Sequence, residues 1–223
     1  NIIYNKATHG THNFGLSFSG ADENKDFYVG LERFQTEGIS AMTHNDEKDR
    51  YRNNSLIANY GHQFSDKIKF ESNLRVAETY LQYDAEIDTA TSTHNEEADA
   101  VESSSNIALV YKPNKKFTNK FTLGKTYIER VYGAATDSYN TLQDDYVGDR
   151  HALIYSGNYN FNSDNSLVFG FEREDDQIAY DKDLIGMTHK AAYITSSYFD
   201  FQSRITKNIY TTFGSRFDEH SLA

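Results

Sequence analysis

A period of two, repeated from hairpin to hairpin, is the feature that most limits what this chain can become. Within residues 149–161, Leu153, Tyr155, Gly157, Tyr159 and Phe161 share one parity and Ala152, Ser156, Asn158 and Asn160 the other, with Ile154 the exception. Residues 68–83 alternate most clearly: Ile68, Phe70, Leu74, Val76 and Tyr80 fall on one face, Lys69, Glu71, Asn73 and Arg75 on the opposite one. Such alternation describes a β-strand with one oily and one wet face. It predicts strands over 1–7, 13–20, 26–40, 49–64, 68–83, 100–112, 117–131, 149–161, 166–176, 190–205 and 209–218. Short turns at 21–25, 65–67, 113–116, 162–165 and 206–208 alternate with long loops at 41–48, 84–99, 132–148 and 177–189.

No run of about 18 apolar residues occurs, so the sequence encodes no transmembrane helix. Helical stripes that could build a soluble core are also scarce. Barrel strands give only a weak hydropathy signal, and outer-membrane barrels have short turns at one end and long loops at the other. The expected fold is therefore all-β: an antiparallel up-and-down transmembrane β-barrel, of which about eleven strands are in view. A soluble barrel or propeller is the alternative. Cysteine is absent, which excludes disulfide scaffolds and cysteine metal sites. A formal net charge of -11 argues against a nucleic-acid partner. The chain opens on Asn1 and stops at Ala223 inside an expected strand, so it reads as a piece of a longer protein.

Charge and aromatic placement follow the same asymmetry. Residues 84–102 carry Asp84, Glu86, Asp88, Glu96, Glu97, Asp99 and Glu102 with no Lys or Arg, whereas Lys67, Lys69, Lys112, Lys115, Lys116, Lys120 and Lys207 gather at the short-turn ends. Phe64 with Ile68, Tyr111 with Phe117, Phe161 with Leu167, and Phe201 with Ile209 bracket the short turns. A membrane-boundary girdle places aromatics there. Ordinary cross-strand pairing is the plainer explanation.

Three segments resemble TonB-dependent outer-membrane receptors. Thr36-Glu37-Gly38-Ile39-Ser40-Ala41, followed by Asp46-Glu47-Lys48-Asp49-Arg50-Tyr51-Arg52-Asn53, resembles a strand end, acidic loop and strand start of that family's early barrel. Gly10-Thr11-His12-Asn13 resembles the turn between its first two barrel strands, and Gly214-Ser215-Arg216-Phe217-Asp218-Glu219-His220-Ser221 a mid-barrel strand. The ordered set is most similar to the vitamin B12 (cobalamin) receptor branch. The resemblance implies about the first half of a 22-stranded barrel over 1–223, lacking the N-terminal plug domain, the TonB box and the second half. It further implies localisation in the outer membrane of a Gram-negative bacterium, contact with outer-membrane lipid, and a plug from the same full-length chain. The TonB complex would act through the missing N-terminal region on uptake of a scarce large ligand, cobalamin-type or siderophore. A passive porin or channel without plug is the alternative, and an outer-membrane hydrolase a weaker one.

Asp46, Glu47 and Asp49 cluster in one expected loop, Asp84, Glu86 and Asp88 in the next outer one. Closely spaced hard oxygens suit Ca²⁺, and the resemblance implies calcium in these loops; a solvated acidic loop is the plainer reading. His9, His12, His44, His94 and His189 lie at or near loops, and only His9-x-x-His12 has a spacing near a transition-metal pattern. They read as polar loop residues. For catalysis, Asp149 and His151 share a strand face, but Ser156 has the other parity, so the sequence is read as non-enzymatic. Lys69, Glu71, Arg75, Lys125 and Glu172 are expected on the inner wall, where they would meet the plug.

Overall fold

The computed structural model describes residues 1–40, 48–84, 95–134, 143–181 and 186–221. They form one antiparallel sheet whose strand order is the sequence order: β1 (Ile2–Lys6), β2 (His12–Ala21), β3 (Lys25–Thr36), β4 (Tyr51–Ser65), β5 (Ile68–Asp84), β6 (Asn95–Asn114), β7 (Phe117–Ala134), β8 (Gln143–Asn160), β9 (Asn165–Asp181), β10 (Thr188–Thr206) and β11 (Ile209–Ser221). β1 and β11 are the two edges, so the sheet is not closed. The expected all-β, up-and-down architecture is what the chain adopts.

The short turns are set locally by side chains that mimic a backbone turn. Asp22 Oδ1 accepts from the amides of Asn24 and Lys25 at 2.8 and 2.7 Å. Asn114 Oδ1 accepts from those of Lys116 and Phe117 at 2.9 and 3.1 Å. Asn162 Oδ1 takes the Asp164 amide at 2.9 Å. Ser65 and Thr206 hydroxyls do the same, more loosely, for Lys67 and Asn208. Register shifts at Gln63/Ser65, Tyr111/Asn114 and Arg204/Thr206 all lie beside these turns.

At the opposite end the strands run further than alternation predicts. β6 begins at Asn95 rather than 100, β8 at Gln143 rather than 149, and β9 continues to Asp181 rather than 176. Glu96, Glu97, Asp99 and Glu102, expected in or beside a loop, are strand residues. These extensions carry polar side chains on both parities, so period two fades while the hydrogen-bond ladder continues. β3 is shorter than expected, ending at Thr36, because Gly38 turns the backbone at φ +69°.

Register sorts the side chains onto two faces. One carries Leu31, Leu56 and Val76 in a single cross-strand row, and Phe70, Leu109, Phe121, Tyr155 and Phe171 in another. The other carries Lys69, Glu71, Asn73, Ser104, Thr122, Arg150, Glu172 and Asp200. The apolar face is studded with touching rings: Phe117 meets Tyr159 and Phe169, Phe121 meets Tyr155, Phe161 meets Phe201, and Phe199 meets Phe213. Among the described residues the buried apolar side chains are only Ala77, Ala98 and Ala108, all on the polar face. Phe121, Leu123, Phe213 and Phe217 are 47 %, 54 %, 68 % and 68 % exposed. The sheet has no core of its own, and its oily face demands a cover that the described chain does not supply.

The upper margin of that oily face is tilted. Following register partners from Arg33 on β3 straight across leads through Asn54, Glu78, Val101, Glu129 and Val147 to Ala179 on β9. The first charged residue above the apolar stretch of β9 is instead Arg173, six residues nearer the short turn. Six residues are roughly 20 Å and six strand spacings roughly 29 Å, a slope of roughly 35°. Barrel strands tilt by about that angle to the membrane normal. A level apolar band thus crosses slanted strands.

Candidate functional site

The polar face presents charges held flat by bridges that reach across a small residue. Glu71 on β5 accepts from Lys69 at 2.9 Å and, through its other oxygen, from Lys120 on β7 at 3.0 Å. That second bridge spans β6, where Ala108 sits in register with Glu71 and is buried. The pattern recurs at β9–β11. Arg216 donates to Glu172 at 2.8 Å across β10, whose Ser196 is opposite Glu172 and only 2 % exposed. The same guanidinium donates to Ser196 Oγ at 2.8 Å and Asp218 at 2.7 Å. A longer residue at Ala108 or Ser196 would stand in the path of these bridges. Arg150 grips its register partner Asp176 with two bonds, 2.6 and 2.9 Å, and Arg130 donates to Glu102 at 3.0 Å. Asn73 donates to Asn106 at 2.8 Å. Partly exposed pairs of this kind contribute roughly 0–1 kcal/mol each. Their effect is positional: they fix a mixed-charge, hydrogen-bonding wall.

Arg75 and Glu32 differ from this pattern. Both are exposed on the polar face, in register with Ile57 and Ser55, and neither has an ion-pair partner among the described residues. They are among the wall's uncommitted charges, as are Asp26 and Lys190 on the same face.

Lys69, Glu71, Arg75 and Glu172 thus lie on the polar face as the sequence predicts. Lys125 does not. It shares the parity of Phe121 and Leu123, sits at the upper margin of the apolar face, and pairs with Asp149 at 3.1 Å. Asp149 and His151 do share a face, 2.9 Å apart, while Ser156 projects from the other side of the sheet, so no nucleophile–base contact forms between them.

Asp46, Glu47, Asp88, His44 and His94 lie outside the described residues, as do Asp84's side chain and Glu86. Among the described residues no group of three or more His, Asp or Glu is arranged to hold a metal. His12 Nδ1 instead bonds the Tyr4 hydroxyl at 2.9 Å, and His9 takes a left-handed turn conformation at φ 55°. Its carbonyl accepts from the Glu37 amide at 2.9 Å and the Thr36 hydroxyl at 3.2 Å.

Above β3 and β4, Glu37 pairs with Lys48, and that ammonium holds the carboxyl below the usual carboxylate range. A depressed acid contributes stability above its unfolded pKa and loses it as pH falls through the folded one. Glu37–Lys48 is therefore expected to persist at neutral pH and open only below the usual carboxylate range, read by the Glu37 side-chain carbon shift in NMR. An opening near neutrality would contradict the pairing. Nearby, the Tyr80 hydroxyl donates to Glu97 at 2.6 Å.

No family model matches the sequence, and no curated protein matches it. Solved structures do. The RagAB peptide transporter superposes with a TM-score of 0.74 at 13% identity, covering 94% of this chain and 32% of that one. The outer membrane transporter YddB from Escherichia coli gives 0.75 at 12% identity, covering 94% and 34%. The ferric yersiniabactin uptake receptor FyuA from Yersinia pestis gives 0.69 at 11%, covering 96% and 41%. The chain is a partial β-barrel wall. It spans about a third of the first two chains and somewhat more of the third. At such identities the likeness is one of fold. It makes the apolar face the outside of the wall and the polar face the lumenal side.

Proposed function

We propose that this chain is part of the barrel of an outer-membrane transporter for TonB-energised uptake of a scarce, large ligand. One observation carries the membrane part: a single-layer sheet with an oily outer face, a polar inner face and no core between them. Lipid covers the first, and water or protein the second. Similarity of fold to large outer-membrane transporters and receptors supports the transport part, and the ordered segments resembling TonB-dependent receptors support the energised part. The cobalamin branch and a siderophore receptor are the two ligand readings kept from the sequence.

The wall suits a removable plug. Most lumenal charges are satisfied by neighbours on the wall itself, so they carry no unpaired charge whether a plug is seated or displaced. Arg75 and Glu32 are among those left for an inner partner to engage. Ser156 does not reach the Asp149–His151 pair, so the hydrolase reading lacks the contact it needs.

The test is uptake of labelled cobalamin and of a labelled ferric siderophore by cells making the full-length protein, with and without an uncoupler. Uptake of either that the uncoupler abolishes is the expected result. Uncoupler-insensitive passage of small sugars alone would overturn the energised reading in favour of a passive channel.

A further inference from the structure

The outward face holds a cationic pocket immediately above the oily band, confined to β1–β4. We propose that it binds a phosphate group of a phosphorylated lipid in the outer leaflet; this rests on the outer-membrane reading above. A cavity of about 400 Å³ is lined there by His12, Arg33, Arg50 and Arg52, together with Tyr80. Lys6 is in register with His12, and His12 with Gln35, which is in register with Arg52. The cations therefore stand side by side on adjacent strands of one face.

None of the three arginines has an ion-pair partner among the described residues. Arg33 donates only to Gln35, at 3.2 and 3.1 Å. Arg52 lies over the Tyr80 ring at 5.4 Å. Glu37, the acid lining the same cavity, is engaged by Lys48, and Glu78, on the same face, is exposed. Of the six other arginines, Arg130, Arg150, Arg173 and Arg216 each have a carboxylate within 3.0 Å, while Arg75 and Arg204, which form no ion pair among the described residues, stand apart on β5 and β10. In a chain of net charge -11, unmatched arginines gathered at one place mark a site for an external anion. Guanidinium groups suit phosphate through paired donors.

The position selects a lipid over a free anion. Directly beneath the arginines run Phe14, Leu16 and Phe18 on β2, Leu31 and Val29 on β3, and Leu56 on β4, all on the same face. An amphiphile whose acyl chains lie on that band brings its headgroup phosphate to the pocket.

The full-length protein, reconstituted in phosphatidylcholine nanodiscs, is titrated with diphosphoryl lipid A and with the same lipid stripped of phosphate, and bound copies are counted by native mass spectrometry. The wild type is expected to prefer the phosphorylated form by at least about tenfold, and Arg33→Gln/Arg52→Gln to lose about tenfold per arginine removed. The control pair Lys115→Gln/Lys207→Gln, which removes equal charge at the short turns, should leave binding unchanged. The wild-type preference needs no variant, so a folding defect in the double mutant cannot mask the answer. Equal binding of both lipids, or inorganic phosphate binding as tightly as the lipid, overturns the inference. If uptake is intact while the preference is absent, the transport reading stands and this one falls; if the protein fails to enter the nanodisc, both fall.

Discussion

Replacing Phe121 by Arg is expected to destabilise the inserted protein by about 2–4 kcal/mol, while Thr122→Arg, one residue along, costs less than about 1 kcal/mol. Phe121 is 47 % exposed on the apolar face, its ring 4.9 Å from that of Tyr155. It lies within the oily band, two positions below Leu123 and four below Lys125, where the band gives way to charge. A guanidinium there must leave water for hydrocarbon or drag its headgroup along the strand. Thr122 faces the lumenal side, in register with Ala108 and Ile154, and the Glu71 carboxylate bridged across Ala108 is close enough to favour a new cation. The comparison holds strand, depth and the introduced side chain constant while the face changes. Urea-induced unfolding of the full-length protein from bilayers measures it. Equal costs at both positions would mean that both faces see the same solvent, and the membrane assignment would fail.

That contrast between neighbours also marks how far the sequence could be read. Alternation placed Phe70, Leu74, Val76, Leu153, Tyr155 and Tyr159 on one face because every second residue of these strands belongs to the apolar face and its neighbours to the polar one. Turn residues such as Asp22, Asn114 and Asn162 were legible for an equally local reason, since each caps its own backbone. Where both parities of a strand are polar the alternation disappears, and the extensions of β6 and β8 above the band carry no strand signal in the sequence. Charge alone points Lys125 to the inner wall, but its parity with Phe121 and Leu123 puts it on the apolar face. The bridges Glu71–Lys120 and Glu172–Arg216 were out of reach altogether. They join strands that are second neighbours, and only the register reveals that Ala108 and Ser196 lie between the partners. The same holds for the outward arginines, which come from two separated stretches and meet only once β3 and β4 are aligned.

At the rim, Gly38→Ala is expected to cost about 3 kcal/mol locally, freeing the top of β3 from β4 without unfolding the sheet. Gly38 has φ +69°, and a Cβ there would stand 2.0 Å from the carbonyl oxygen of Asp49. No rotamer change relieves a clash between a Cβ and backbone, so one of the two segments must move. Both are held: the Gly38 amide donates to Thr36 Oγ1 at 3.2 Å, that hydroxyl bonds Thr11 Oγ1 at 3.0 Å, and Glu37 is tied to Lys48 and to the His9 carbonyl. The displacement therefore breaks contacts joining the β1–β2 turn to the β3 end. Below it, the ladder from Thr36↔Tyr51 downward is untouched. Two causes, the left-handed φ and the close approach, separate with one further variant. Asn accepts the left-handed region at low cost but carries the same Cβ, so Gly38→Asn should fare no better than Gly38→Ala if the contact dominates, as a 2.0 Å approach requires. Gly186 is the reference: its φ is +116° but nothing lies within 4 Å of a Cβ there, so any penalty of Gly186→Asn is conformational alone. Hydrogen exchange at the Glu37 and Gly38 amides, compared with amides in the middle of β3, reads the outcome. Recovery of protection in Gly38→Asn would assign the role to φ, and unchanged protection in Gly38→Ala would show that the rim is not built on this approach.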